Sequence, residues 1–357
     1  MVANAQGRPD LASVQKQLEK FPLRWSLILE HPPETTRPSK TSRWLDNSSA
    51  EQAYHIRKGN AADMARLARI LSGHAVALVL GGGGARGFAH LGVLRAIEEL
   101  GIPIDMVGGS SIGAPIGGWV ATGKSANECL ESARRAFKSL IDITFPSTAI
   151  LDGKRISQQI IQEGEGWDIE DLWLPFFCVS TNLTTSQLVV HRRGNAPKAV
   201  RSSVSIPGIL PPVPHNGELL VDGSVLNNLP IDVMRSMNSL GLVIAIDVVL
   251  PSSFSVKEDY GLNVSGWRQL MSRLIPWVDH PETPGFASTI MQSMMVGSSR
   301  SRERLLDQGH ADYYQNIHVH GVGMLQFDAL EKAQKTGYSD SIEPLRKWAI
   351  KAGLINK

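Results

Sequence analysis

The sequence predicts an α/β protein, because residues 75–120 read as two consecutive strand-turn-helix units and both turns are rich in glycine. In the first unit the apolar run 76–80 is bounded by glycine and is too short for a buried helix, so it reads as a core strand. Residues 81–84, Arg86 and Gly87 then leave the backbone amides unshielded and able to take dihedrals that a Cβ forbids. Apolar residues recur at Phe88, Leu91, Leu94, Ile97 and Leu100, a helical spacing that stops at Gly101 with Pro103 beyond. In the second unit, residues 105–107 lead into Gly109-Ser110-Ser111-Ile112-Gly113, and the segment that follows is dense in Ala114, Gly117, Gly118 and Ala121.

Both turns bear on chemistry. A glycine turn that opens a helix presents free N–H groups and a positive dipole end, which suit a phosphate or a developing oxyanion. The second turn favours the oxyanion. G-x-S-x-G at a strand-to-helix turn is the pattern of a nucleophile elbow, in which Gly109 and Gly113 keep side chains away from Ser111. Gly-Ser turns are common by themselves. The preceding strand, the small-residue helix and the glycine turn one unit upstream make this one specific.

The 357 residues suit one large domain or two small ones. A net charge of +2, without a basic block or interleaved aromatics, argues against nucleic acid as an obligatory partner. Cys129 and Cys178 fall on a predicted helix and a predicted strand and read as buried free thiols in a reducing compartment. The first residues lack an apolar export core, and no run approaches the roughly 18 apolar residues of a membrane span. A cytoplasmic protein, meeting membranes at most peripherally, is the expectation.

Residues 1–74 read as an N-terminal extension: a helix over 11–20, a strand over 25–30, a Pro/Thr/Ser-rich linker over 31–43, and a helix over 61–71 whose Arg66 and Arg69 form a solvated face. Residues 75–357 read as the main domain. Ser125-Ala126-Asn127-Glu128 is a capping box, and Leu130, Ala133, Phe137 and Leu140 stripe the helix it starts. A Pro-containing loop with a short helix near 156–161 follows, then strands over 176–179 and 188–191, and a helix from 195 or 196 to 203 that ends in the prolines 207, 211, 212 and 214. A strand over 218–221 ends in Asp222-Gly223-Ser224. Asn227, Asn228 and Pro230 stand at the next helix start, before the apolar run 242–249.

Residues 251–304 carry Trp267, Met271, Ile275, Trp277, Phe286, Met291, Met294 and Met295, which singly read as core. Their mixture with Arg268 and Arg273 also fits a lipid-facing surface. From residue 311 a strand, with His318 and His320 on its polar face, and two helices around 327–335 and 341–352 close the chain.

On spacing alone Asp222 is a turn former. It acquires a function if Ser111 needs a base, a role open to a histidine or to a placed carboxylate. GGGGARG, GSSIG and DGS, in this order, resemble the motifs of the patatin-like phospholipase family, serine hydrolases with a Ser-Asp dyad. SIPGILPPV, VDGSVLNNLPIDVM and YGLNVSGW are similar to the catalytic domain of its neuropathy target esterase branch. The resemblance implies a three-layer sandwich with a mainly parallel central sheet flanked by helices. It implies Ser111 as nucleophile, Asp222 as base, and the amides of Gly82, Gly83 and Gly84 as oxyanion hole. Arg86 orients the glycine turn or adds positive potential, and Gly87, Gly109, Gly113 and Gly223 support the two turns. Ser224 stands where the family has Gly or Ala. The resemblance further implies lysophospholipid or phospholipid substrates and no metal or diffusible cofactor. It leaves the oligomeric state open.

Three rival readings compete with this one. A dinucleotide-binding protein would read 82–87 as G-x-G-x-x-G with Asp105 for the ribose, but Asp105 falls at the start of the second strand, where the acid is needed at its end. A Ser-Asp-His hydrolase would recruit His310, His318 or His320. A non-enzymatic interaction protein would leave the elbow without purpose.

Overall fold

Two sheets carry the chain in the computed structural model, which describes residues 2–7, 25–138, 149–164, 166–249, 263, 265 and 286–356. The helix expected over 11–20 lies outside these residues, as do Leu140, Trp267, Arg268, Met271, Arg273, Ile275, Trp277 and the side chains of Phe286 and Met291.

The first sheet is small and wholly parallel: β1 (Val2–Asn4), β2 (Ser26–His31) and β3 (Gln52–Arg57), in that order. Of these only β2 is foreseen from sequence, and helix Thr41–Asp46 interrupts the expected linker. QAYHIR lacks the continuous apolar run of a core strand, so β3 exists because β2 offers it an edge. Helix Ala61–Leu71 follows, with Asn60 as cap. Its arginines are not a solvated face. Buried Asp63 accepts from Arg57 Nε at 2.7 Å and Arg66 Nη1 at 2.9 Å, and Arg69 grips the fully buried Asp105 at 2.7 to 3.2 Å.

The second sheet has eight strands: β4 (Val76–Leu80), β5 (Met106–Ser110), β6 (Phe176–Asn182), β7 (Gln187–His191), β8 (Val213–His215), β9 (Glu218–Asp222), β10 (Leu242–Asp247) and β11 (Tyr313–Asn316). Their order is β11-β10-β4-β5-β6-β9-β8, with β7 on β6, and the run from β11 to β6 is parallel. A parallel sheet is covered on both faces, which is why its strands are apolar throughout. Val76, Leu78 and Leu80 enter the core shared with helices Ala89–Glu99, Gly113–Ala121, Ala126–Ala136 and Leu330–Lys351. Ala77 and Val79 enter the opposite one, with helix Ile231–Met237 and the end of helix Phe286–Asp307. The result is three layers.

One strand positions the functional residues. On one edge of β6 the last partner from β5 is Ser110, opposite Val179, and the next position, Ser180, pairs with Asp222 of β9. The other edge belongs to β7. The ends of β5 and β9, distant in sequence, therefore meet on consecutive residues of one template. β9 reaches that register through a two-residue hairpin from β8, a strand that the proline-rich sequence conceals. The hairpin residues Asn216 and Gly217 have φ of 50° and 81°, positive at both positions as a type I′ turn requires.

The two C-terminal helices expected from sequence are one, Leu330–Lys351, preceded by a short turn at Phe327–Ala329. Pro344 lies inside it and cannot donate to the Asp340 carbonyl, which instead accepts from Gln315 Nε2 at 2.7 Å. Gly337 does not break the helix but lets it cross helix Ala89–Glu99 closely: a Cβ there would lie 2.0 Å from the Ala89 carbonyl oxygen. β11 ends at Asn316, so the ladder stops short of His318 and His320. The foreseen helices near 156–161 and 195–203 appear as Lys154–Gly164 and Ala196–Ser203.

Candidate active site

Ser111 follows β5 with φ of 52°, a left-handed conformation that costs a non-glycine residue energy and that recurs at functional turns. Its neighbours permit the sharp turn. A Cβ on Gly109 would lie 2.4 Å from the Gly113 carbonyl oxygen, and one on Gly113 would lie 2.1 Å from that of Leu80. The strained residue is held by its own N–H, which donates to Ser203 Oγ at 3.1 Å from helix Ala196–Ser203.

Asp222, fully buried, receives the Ser111 hydroxyl on Oδ2 at 2.7 Å and the Ser224 N–H on Oδ1 at 2.8 Å. Its own N–H donates to the Ser205 carbonyl at 2.9 Å. Burial pushes the carboxyl up from 3.8 to about 6, against the pull of hydrogen bonds from Ser224 and Ser111. It is therefore mostly ionised at neutral pH yet poised to take a proton. Gly223 lets the strand end abut the elbow, since a Cβ there would lie 2.5 Å from the Val179 carbonyl oxygen and 2.7 Å from Ser110 Oγ. Ser224 leaves this packing intact, and its hydroxyl adds a hydrogen bond that favours the charged carboxylate.

The glycine turn passes directly over the serine: a Cβ on Gly82 would lie 2.8 Å from Ser111 Cβ. Asn228 clamps it. The Gly82 N–H donates to the Asn228 carbonyl and Asn228 Nδ2 donates to the Gly82 carbonyl, each at 3.2 Å. The Gly82 amide, expected in the oxyanion hole, is thus already engaged. The N–H groups of Gly83 and Gly84 have no acceptor among the described residues. Arg86 Nε donates to the Val322 carbonyl at 2.9 Å and the Ala85 N–H to that of Met324 at 2.7 Å, so the contact that Arg86 makes is one that orients the turn. Gly87 presses on the second turn, where a Cβ would lie 2.1 Å from Ile112 Cγ2. His90, fully buried, bonds the Gly81 carbonyl through Nε2 at 2.8 Å, and burial lowers it to about 4, leaving it neutral.

The rival assignments find no support in these contacts. Among the described residues no histidine is hydrogen-bonded to Ser111 or Asp222, and His318 and His320 are exposed. Asp105 spends its oxygens on Arg69 and, at 2.9 Å, on the Val76 N–H. Cys129 and Cys178 are buried free thiols. Sequence reasoning does not single out Ser203 or Asn228 as site residues. Asn228 carries only a helix-start signal, and both act through partners far away in the chain.

From Ser111 an apolar cleft runs between helices Gly113–Ala121, Lys154–Gly164 and Ala196–Ser203. Among the described residues no helix is long and apolar enough to cross a membrane.

Residues 78–235, which include both Ser111 and Asp222, match the family described as patatin-like phospholipase. The chain is 36% identical over 342 residues to patatin-like phospholipase domain-containing protein 6 of Homo sapiens, covering 85% of this chain and 25% of that protein. It is 37% identical over 299 residues to lysophospholipase NTE1 of Mycosarcoma maydis, covering 82% and 16%. To neuropathy target esterase sws of Drosophila melanogaster it is 35% identical over 285 residues, covering 77% and 20%. It spans a quarter or less of the length of each. With its mainly parallel sheet between helical layers and its similarity to these proteins over most of its length, the chain belongs to the patatin-like phospholipase family.

Proposed function

We propose that the chain is a serine lipid acyl hydrolase, working without metal or diffusible cofactor, in which Ser111 is the nucleophile and Asp222 its only base. The observation that carries this reading is the 2.7 Å hydrogen bond from the Ser111 hydroxyl to a fully buried carboxylate. Asp222 takes the hydroxyl proton as Oγ attacks the ester carbonyl. The Gly83 and Gly84 N–H groups receive the oxyanion, at a typical worth of about a hundredfold or more per donor. Collapse transfers the proton from Asp222 to the departing alkoxide and leaves an acyl-Ser111 ester. Asp222 then deprotonates a water that attacks this ester, releasing fatty acid and returning the proton to Ser111.

The cleft supports an acyl chain as the bound group, and the relative named a lysophospholipase supports a lysophospholipid. A single-chain lipid can leave a bilayer, so peripheral contact with a membrane suffices for its capture. The two buried free thiols fit a reducing, cytoplasmic compartment. In this reading residues 75–357 are the catalytic unit. Residues 1–74 are its extension, whose described part docks on it, as through His55 Nε2 to the Glu170 carbonyl at 2.8 Å and the Thr41 N–H to Asp171 at 2.9 Å.

Ser111→Ala should abolish release of fatty acid from lysophosphatidylcholine, and a fluorophosphonate should add to Ser111 alone. Peptide mapping that found the adduct on the neighbouring, buried Ser110 would sink the assignment.

A further inference from the structure

We propose that Gly118 sets the length of acyl chain that the site accepts. This rests on Ser111 being the nucleophile and adds a direction and a scale to the cleft. Helix Gly113–Ala121 begins just after Ser111 and forms one wall, with Pro115, Gly118 and Thr122 facing the cleft at helical intervals. The wall is therefore graduated. At about 1.5 Å of rise per residue, Gly118 lies ~10 Å and Thr122 ~16 Å from Ser111 along the axis. An extended hydrocarbon advances about 1.25 Å per carbon, the projection of a C–C bond of about 1.5 Å. The cleft thus takes roughly eight carbons to reach Gly118 and roughly thirteen to reach Thr122.

The facing helix, Lys154–Gly164, runs the same way. Ile156 packs against the cluster of Ile206, Ile209 and Leu210 that Met324, beside the glycine turn, also packs against, whereas Glu163 meets Lys124 Nζ at 3.3 Å and Arg135 Nε at 2.9 Å, beyond the end of the elbow helix. A channel apolar along its length thus ends at charged side chains, where further methylenes gain no burial. Between mouth and end, Gly118 is the place where the elbow helix presents no side chain. A Cβ there would have one neighbour within 4 Å, Phe176 Cζ at 3.9 Å, so a larger residue fits the helix but projects into the channel.

The test compares Gly118→Ala and Gly118→Phe in the full chain, with 4-nitrophenyl butyrate and palmitate. At about fourfold per buried methylene, losing the four or five carbons beyond Gly118 should lower the palmitate-to-butyrate ratio of kcat/KM by at least about a hundredfold in Gly118→Phe. In Gly118→Ala the ratio should fall less than about fivefold. An unchanged ratio in Gly118→Phe, whether both rates persist or both fall together, overturns the proposal. Displacement of a fluorescent fatty acid from Ser111→Ala by hexanoate and palmitate reads the channel without turnover. The palmitate preference should collapse when Gly118→Phe is added, and a preference that survives refutes the ruler. An inactive wild type that nevertheless shows this collapse would reject the hydrolase reading and leave the channel assignment standing.

Discussion

Replacing Asp222 by Asn should stabilise the protein while disabling it. Asn keeps the shape of the side chain, can accept the Ser224 N–H on Oδ1, and can face Ser111 Oγ with Nδ2, but it removes the buried charge. The gap between 3.8 and about 6 corresponds to about 3 kcal/mol held against the native state once the carboxyl ionises. The sign follows from the raised folded value: the favourable contribution of Asp222 is complete below pH 3.8 and is lost as pH rises through about 6. At about 2.1 cal/mol/K of unfolding entropy per residue over 357 residues, 3 kcal/mol raises Tm by about 4 °C at pH 8, and about half of that remains at pH 5. Paired melting curves of the two proteins at these pH values measure the gap. Hydrolysis of 4-nitrophenyl butyrate should fall on the order of a thousandfold in the variant. In the wild type kcat/KM should rise with pH through about 6 and then level, because the ionised form is the base. A variant that melts no higher than wild type at pH 8, or a gap that does not change with pH, would refute the buried-charge argument. Comparable loss of activity from Ala at His310, His318 or His320 would reinstate a histidine base.

Three further outcomes test the supporting structure. Gly83→Ala places a Cβ 2.4 Å from Val248 Cγ2, so it should displace the turn and slow ester turnover about a hundredfold; Val248→Ala in the same chain should restore most of the rate, and failure to do so refutes displacement as the cause. Ser203→Ala leaves the N–H of the strained Ser111 without its acceptor and should lower kcat and the rate of fluorophosphonate inactivation together, by about tenfold; an unchanged inactivation rate would remove Ser203 from the elbow's support. Gly337→Ala should cost about 3 kcal/mol or more in urea unfolding, because the new Cβ meets backbone rather than a movable side chain, and a cost below about 1 kcal/mol would contradict the close helix crossing.

What was legible in the sequence is what local backbone geometry dictates. The glycine turn, the elbow at Ser111, the capping box at Ser125 and the apolar strands each declare themselves within a few residues, and each is present. Asp222 was legible only through its resemblance to a known motif, since a carboxylate beside glycine is equally a turn. β3 and β8 are illegible in the sequence for different reasons. β3 is a polar-flanked strand that a neighbour recruits, whereas β8 hides among prolines although Asn216-Gly217 announces its hairpin. The C-terminal helix reads as two because Gly337 falls in the gap between 335 and 341, whereas in the fold it seats the close crossing on helix Ala89–Glu99; the acceptor that Pro344 orphans is satisfied by Gln315, which no local pattern foretells. Arg66 and Arg69 read as solvated from sequence because their partners Asp63 and Asp105 are recognisable as buried only once the sheets are in place.

The shared edge of β6 makes competence of the site a counting problem. Strand register moves only in whole residues, and each step turns a side chain to the opposite face of the sheet. Asp222 therefore either faces Ser111 or faces away, with no graded middle. The count is kept by Asn216 and Gly217, in a hairpin turn outside the cleft that the acyl chain would occupy. Damage to that turn would divide the population into live and dead molecules, so that titration of reactive serines falls while the turnover of each live site is preserved. A defect in the oxyanion donors would do the reverse, slowing every molecule alike. Kinetics averaged over all molecules would not tell the two apart, but a burst amplitude would.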